Sequence, residues 1–274
     1  MRPNEGQLDS SLAARRPAVD SASAATLGGG WCGGPDRLGS LAAALVLGDG
    51  RFPAGGHAHS GGLEEATTQG LVYDLDSLGA FLVGRLTTVG LVWAALAAGA
   101  CAIVLGKDEV VEGLRRLDRE ADARMPSLAQ RRISRSQGRQ LMRAALVAWP
   151  DGALGALVAN QPEPHDALAM GATGAAAGLM PDQTAACIAY ANVSGPAWAA
   201  VRMLGLDPFA VAAQVAALAP VIDRVAAAAA ACVPWPGEEF GAWTWMDRLP
   251  AASAPLLDHL GESHAARGMR LFAS

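Results

Sequence analysis

The sequence predicts an all-α fold, a helical bundle of roughly eight to ten helices connected by short loops. Alanine, the residue with the highest helix propensity, dominates the second half of the chain. After Asp76, apolar residues recur at steps of three and four, which is the period of an amphipathic helix. Runs of Val, Ile, Thr and aromatic residues with a period of two are absent, so strands have almost no competing signal.

The first helices are delimited by capping residues and by a glycine-rich loop. Asp36 is expected to cap the first helix. The glycine-rich loop at residues 48–56 is expected to end that helix. A short second helix is expected around residues 60–69, with His59 or Ser60 as its cap. Asp76 is expected to cap the third helix, whose apolar stripe consists of Leu78, Phe81, Leu82, Leu86, Val89 and Trp93.

Charge and proline positions define the later helices. Residues 107–124 are charged on most sides, as in a solvent-exposed helix, and Ser127 is expected to cap the next one. Pro181 and Pro208 are expected at helix starts, where the missing N–H carries no penalty. Pro196 is expected to kink or interrupt its helix. The three remaining helices are predicted at residues 166–178, 182–204 and 207–231.

Two segments of different composition make up the chain. Residues 1–35 are predicted to form a disordered N-terminal arm, because glycine and small polar residues cannot offset the entropy of ordering. Residues 36–274 are predicted to form one all-α domain, since 51% hydrophobic residues supply a large core and no linker interrupts it. The C-terminal residues Leu271 and Phe272 are apolar, and we expect them to dock on the bundle or on a partner.

The charge balance and the cysteines exclude several classes of protein. The chain has 21 basic and 26 acidic residues, a net charge of −5, so the basic surface of a nucleic-acid-binding protein is not expected. No secretory signal opens the chain and the four cysteines are far apart, which favours a cytoplasmic protein with free thiols. The basic run at residues 131–139 is either a solvated helix face or a site for an acidic partner.

A membrane-associated helical protein is the alternative from a different class. Residues 86–105 contain no charged residue and match the length of a bilayer span. Alanine, glycine and threonine dilute the hydropathy of this segment, however, so a buried helix of a soluble all-α protein is favoured.

The loop that contains two histidines is the obvious candidate for chemistry. His57 and His59 are followed by Glu64, and a metal-dependent hydrolase built on these three residues is the least favoured hypothesis. A glycine-rich turn that leads into a helix is favoured instead, because two imidazoles form an incomplete metal site. The sequence contains no phosphate-binding loop and no nucleophile elbow. It therefore predicts a protein that is not an enzyme and that binds no metal or cofactor directly.

Several separated segments, taken in order, resemble the urease accessory protein family UreF. Each segment alone is modest, but their order and spacing cover about residues 38–274. The matching segments are Asp49, Phe52-Pro53-Ala54-Gly55-Gly56, His59-Ser60-Gly61-Gly62-Leu63-Glu64, Ser136-Gln137-Gly138-Arg139-Gln140-Leu141, Ala199-Ala200-Val201-Arg202, Pro255-Leu256-Leu257-Asp258, His264, and Arg270-Leu271-Phe272-Ala273-Ser274.

The resemblance implies a scaffold for urease maturation. Members of the family are dimeric all-α proteins that bind UreD (also called UreH) and then recruit the GTPase UreG, which delivers nickel to apo-urease. Nickel and GTP are then handled by the partner complex, and the expected state of this chain is a homodimer. No contact with nucleic acid or with a membrane is implied.

The resemblance also implies which residues contact partners. Phe52, Pro53, Gly55, Gly56 and His57 are expected to form part of the surface that faces UreG, together with Arg270 from an ordered tail. His264, Leu271 and Phe272 are expected to contact UreD or to support Arg270.

Overall fold

The computed structural model describes residues 35–54, 59–235, 243–267 and 271–272, with the backbone alone for residues 35–40. Within these ranges every regular element is a helix, which confirms the all-α prediction. The described residues from Leu38 onwards form one compact unit. The predicted arm at residues 1–35 lies outside the described ranges except for Pro35.

The first two helices flank the glycine-rich loop. Helix α1 spans Pro35–Gly48 and begins one residue before Asp36, which is therefore in the helix rather than its cap. Helix α2 spans Leu63–Thr68 and is shorter than predicted. Its start follows a turn in which Gly61 and Gly62 both have positive φ, a conformation that favours glycine. The N-cap residue is Gly62, so the prediction of His59 or Ser60 as the cap is wrong, although Ser60 Oγ accepts a hydrogen bond from Glu64 N (3.2 Å) in the first turn.

Helix α3 spans Leu75–Arg85 and starts earlier than predicted. The cap is Asp74, not Asp76, because Asp74 Oδ1 accepts a hydrogen bond from Ser77 N (2.8 Å). Ser77 Oγ in turn accepts from Asp74 N (3.0 Å), which completes a reciprocal capping box. Asp76 lies in the first turn, where its negative charge interacts favourably with the helix dipole.

A π-helical turn, Leu86–Gly90, joins α3 to the central helix α4, Leu91–Gly106. Helix α4 is buried on nearly all sides and packs most closely against helix α8, Asp166–Ala176. A Cβ on Gly171 would lie 2.3 Å from the Ala97 carbonyl oxygen. The two helices can therefore approach this closely only because small residues face each other.

The combined segment Leu75–Gly106 is long enough for a membrane span, and its most apolar 18-residue window has a mean hydropathy of 2.2. Yet 67% of its most apolar window is buried inside the bundle, which is typical of the core helix of a soluble protein. The hydropathy that supported the membrane alternative is thus explained by the position of α4 at the centre.

Helices α5 to α7 cover one side of this centre. They span Val110–Ala123, Leu128–Ala148 and Gly152–Asn160. Ser127 caps α6 as predicted, because its Oγ accepts a hydrogen bond from Gln130 N (3.1 Å). A Cβ on Gly138 would lie 2.1 Å from the Pro164 carbonyl oxygen, so this glycine lets α6 contact the loop before α8.

Helices α9 to α11 cover the other side. Helix α9 spans Pro181–Leu204, with Pro181 in its first turn as predicted. The helix continues through Pro196, so this proline does not interrupt it. The predicted helix at 207–231 is instead divided into α10 (Pro208–Ala217) and α11 (Ala219–Ala230), with a bend of 41°. Pro220 explains the division because it has no N–H to continue the helix.

The C-terminal part returns to the bundle. A short 3₁₀ helix, Thr244–Arg248, places the buried Trp245 against Gly99 of α4. Helix α12, Pro255–Ala266, then packs against α6 and α2. It therefore carries the end of the chain to the start of α2.

Candidate functional site

The last described residues, Leu271 and Phe272, lie on the start of helix α2. Glu64 holds them there, because its carboxylate accepts hydrogen bonds from two successive backbone N–H groups. Leu271 N lies 2.8 Å from Oε1 and Phe272 N lies 2.9 Å from Oε2. Bonds to an ionised acceptor are stronger than those between neutral groups. Both oxygens of the Glu64 carboxylate therefore accept hydrogen bonds from the tail.

Two side chains complete the contact with Phe272. The guanidinium carbon of Arg202 lies 5.0 Å from the centre of the Phe272 ring, a cation–π distance. His264 Nε2 lies 3.4 Å from the Phe272 carbonyl oxygen and 4.0 Å from Glu64 Oε2. We call Glu64, Arg202 and His264 the tail seat. Helices α2, α9 and α12 each contribute one of its residues.

A second acidic residue anchors the chain just before the tail. Glu65 is buried, with 2% of its surface exposed, and its Oε2 lies 2.7 Å from Arg267 Nε. Arg267 Nη2 also donates to Glu65 Oε1 (3.2 Å). The two successive glutamates of α2 thus fix both the end of α12 and the tail that follows it.

The loop that contains Phe52 and Pro53, which we call the Phe-Pro loop, lies against helix α6. The Phe52 ring contacts Trp149, with ring centroids 5.6 Å apart. Gln140 Nε2 donates a hydrogen bond to the Pro53 carbonyl oxygen (3.3 Å). These contacts fix the two loop residues against the C-terminal half of α6.

A cavity of about 400 Å³ separates the loop from the tail seat. Phe52 and Ala54 line one part of it, and Arg202 and His264 line another. Tyr190 and Trp198 of α9, which are partly exposed, also line it. Two of the predicted partner-binding residues, Phe52 and His264, therefore border one common cavity although they are more than 200 positions apart in the sequence.

The predicted partner-binding residues fall into three groups. Phe52 and Pro53 lie on α6, whereas His264, Leu271 and Phe272 belong to the tail seat or rest on it. The remaining predictions, Gly55, Gly56, His57 and Arg270, lie outside the described residues.

Sequence reasoning missed the residues that hold the tail. The sequence suggests Glu64 and Glu65 only as metal ligands and places Glu64 and Arg202 in motifs that resemble the family, but it assigns none of them, nor Arg267, to the tail. Two adjacent acidic residues at a helix start offered a signal, since exposed backbone N–H groups and arginines are their usual partners. The spacing of about 200 residues to those partners could not be derived from the sequence.

Asp118, Asp122 and His165 form a cluster in the described chain whose ligand atoms are close enough for a metal ion. Arg135 already pairs with both of its carboxylates, with Nη2 2.9 Å from Asp118 Oδ2 and 2.8 Å from Asp122 Oδ2. Burial opposes the ionisation of Asp122, but the His165 hydrogen bond and Arg135 outweigh it and lower its pKa. Burial, in turn, lowers the pKa of His165. The cluster is therefore a structural ion-pair network that joins α5, α6 and α8.

Two of the described cysteines have the properties of structural thiols. Cys101 and Cys187 are buried, and burial raises their pKa values to about 12 and about 11. Thiols with such values are poor nucleophiles at neutral pH. Cys32 lies outside the described residues.

Comparison with known proteins assigns the family. The family model described as UreF matches residues 72–219. A urease accessory protein UreF from Mycolicibacterium vanbaalenii is 45% identical over 237 residues, which cover 86% of this chain and all of the relative. The chain belongs to the UreF family.

Other relatives have the same name. The UreF protein of Mycobacterium sp. (strain JLS) is 47% identical over 236 residues, 86% of this chain and 99% of the relative. That of Mycobacterium tuberculosis (strain ATCC 25177 / H37Ra) is 40% identical over 235 residues, with the same coverage. As a member of this family of urease accessory proteins, the chain has a role in urease maturation.

Proposed function

We propose that this UreF-family protein is a non-catalytic scaffold that binds UreD and recruits the GTPase UreG for nickel insertion into apo-urease. The observation that supports the proposal is the position of the tail. Glu64 binds the tail backbone beside the cavity, and Phe52 lines the same cavity. Fixing the tail before binding lowers the entropy cost that a partner has to overcome. A scaffold function therefore fits a tail in which Phe272 packs against the core while the apolar Leu271 stays exposed.

The two sides of this cavity are assigned to different partners. We infer that His264, Leu271 and Phe272 contact UreD, and that Phe52, Pro53, Gly55, Gly56, His57 and Arg270 contact UreG. The side chain of Leu271 supports the first assignment, because 80% of its surface is exposed although it is apolar. Exposed apolar residues of this kind are common in the centre of protein interfaces.

The proposed scaffold is a cytoplasmic homodimer that binds no cofactor directly, with nickel and GTP held by its partners. Apolar side chains on two neighbouring helices favour self-association. Leu41 and Leu45 of α1 are 57% and 68% exposed, and Trp198 of α9 is 40% exposed. Burial of such residues between two copies is a usual source of dimer stability.

Co-expression with UreD and UreG from the same source tests the proposal. Affinity purification followed by light scattering should give a complex with two copies of each protein. A chain that ends at residue 267 should lose that complex while keeping its helical circular dichroism spectrum. If the full chain binds neither partner, or if the truncated chain assembles as well as the full one, the scaffold assignment is wrong.

A further inference from the structure

The cavity is also lined by polar groups, and three of them, Arg85, Asp166 and Asn192, have no part in the proposed scaffold function. Arg85, Asp166, Asn192 and His264 all line it. Arg85 Nε, Asn192 Oδ1 and His264 Nδ1 are buried and have no hydrogen-bond partner among the described residues. Buried polar atoms normally have a partner, so three such atoms in one cavity indicate a polar occupant.

Arg85 supplies a cation without a counter-ion. Its Nη1 donates to the Gly61 carbonyl oxygen (2.8 Å), and its guanidinium carbon lies 6.0 Å from the centre of the Trp93 ring. No carboxylate of a described residue forms an ion pair with it. Burial lowers the pKa of Arg85 to about 10, which leaves the guanidinium charged at neutral pH. A buried unpaired cation is costly, and an anion in the cavity would remove that cost.

Asn192 supplies hydrogen-bond acceptors. Its Nδ2 donates to the Ile188 carbonyl oxygen (3.0 Å), which fixes the amide orientation and leaves Oδ1 as the free acceptor. Pro196, four residues later, has no N–H to donate to the Asn192 carbonyl oxygen. The proline therefore adds a second acceptor on the same turn of α9.

The donor and these acceptors lie close together. A Cβ on Gly61 would be 3.1 Å from both Arg85 Cζ and Pro196 Cγ, so the guanidinium packs next to the proline. Asn192 lies one helical turn before Pro196 on the same face of α9. The carboxyl group of Asp166 provides another acceptor in the cavity lining, and burial raises its pKa to about 7.

We propose that this cavity binds a small oxyanion that also carries a hydroxyl group, of the hydrogen phosphate type. The Arg85 Nε–H donates to a charged oxygen of the ligand, and Asn192 accepts from the ligand hydroxyl. An oxyanion of similar size without a hydroxyl, such as sulfate, would leave the acceptors unpaired and bind more weakly. This site requires no partner protein, so its test is independent of the scaffold function.

Calorimetric titration of the full chain with inorganic phosphate and with sulfate, at pH 7 and equal ionic strength, tests the proposal. Phosphate should bind at least tenfold more tightly than sulfate. Arg85→Met should weaken phosphate binding at least tenfold. The matched control Arg116→Met removes an exposed arginine of α5 and should leave the affinity unchanged. Asn192→Ala should reduce the preference for phosphate over sulfate.

Three results would overturn the proposal. No phosphate binding by the folded chain would mean that the cavity holds water alone. Equal affinities for phosphate and sulfate that Arg85→Met does not change would indicate binding elsewhere on the surface. If Arg85→Met does not fold, Asn192→Ala decides the question, and an unchanged preference in that folded variant contradicts the proposed site.

Discussion

The α4–α8 contact and the tail seat are built on different principles. Helices α4 and α8 meet through small side chains, with Gly171 against the backbone of Ala97. The tail seat and the neighbouring Glu65–Arg267 pair instead join segments that are about 200 residues apart through two carboxylates, an arginine and backbone N–H groups. Apolar contact at the centre gives the bundle its stability, whereas polar contact at the edge gives the chain end a defined position that a partner can use.

This difference predicts that substitutions at the centre change global stability most. Gly171→Ala places a Cβ 2.3 Å from the Ala97 carbonyl oxygen and 2.5 Å from Ala100 Cβ. We expect a loss of about 3 kcal/mol in the free energy of unfolding, measured by urea titration, because the backbones have to move apart. The control is Gly155→Ala on α7, where no atom lies within 4 Å. It should stabilise the chain by about 0.5–1 kcal/mol through helix propensity, and a loss of equal size in both variants would contradict the packing argument.

Substitution in the ion-pair network between α5, α6 and α8 should cause the second-largest loss of stability. Arg135→Met leaves the carboxylates of Asp118 and Asp122 without their guanidinium partner. We expect a loss of about 2 kcal/mol, below the range for fully buried pairs, since Arg135 is 25% exposed. Thermal unfolding with Arg116→Met as the control checks this, because the exposed Arg116–Glu112 pair should contribute less than about 0.5 kcal/mol. Equal melting temperatures for the two variants would show that the network carries no stability.

A substitution in the tail seat should change the local stability of the tail rather than the global stability of the chain. Glu64→Gln replaces the charged acceptor of the Leu271 and Phe272 amides with a neutral one. We expect hydrogen exchange at the C-terminal peptide to accelerate about tenfold, equivalent to about 1.4 kcal/mol, while the global unfolding transition changes little. Glu112→Gln on the exposed face of α5 is the matched control. Unchanged exchange in Glu64→Gln would mean that the carboxylate does not hold the tail.

The pH dependence of stability offers the finest distinction. Burial raises the pKa of Asp166 to about 7 from an ordinary value of 3.8. The folded chain therefore binds more protons than the unfolded chain between about pH 4 and pH 7, and stability falls as the pH rises through that window. Asp166→Asn should remove this fall, so the variant should gain stability relative to the original chain as the pH rises from 5 to 8. Urea titrations at pH 5 and pH 8 measure the effect, and an unchanged pH profile in the variant would contradict it.

The same contrast explains what the sequence could predict. The central stripe from Leu78 to Trp93 was evident because helix periodicity and burial are local signals. The start of α3 was missed by two residues because a reciprocal hydrogen bond with Ser77 decides between Asp74 and Asp76. The partners of Glu64 could not be found because long-range polar contacts leave no periodic pattern. The assignment to the UreF family was possible because it depends on the order of several motifs rather than on any one contact.

Hydrogen exchange of the chain alone and in the presence of UreD tests the central claim most directly. We predict that protection increases at peptides covering the Phe-Pro loop, α2 and the tail. Peptides of α10, where Phe209 is 84% exposed, should be unchanged and serve as the internal comparison. Protection that increases at α10 and leaves the tail and α2 unchanged would contradict the claim that the tail seat and its cavity form the surface for partners.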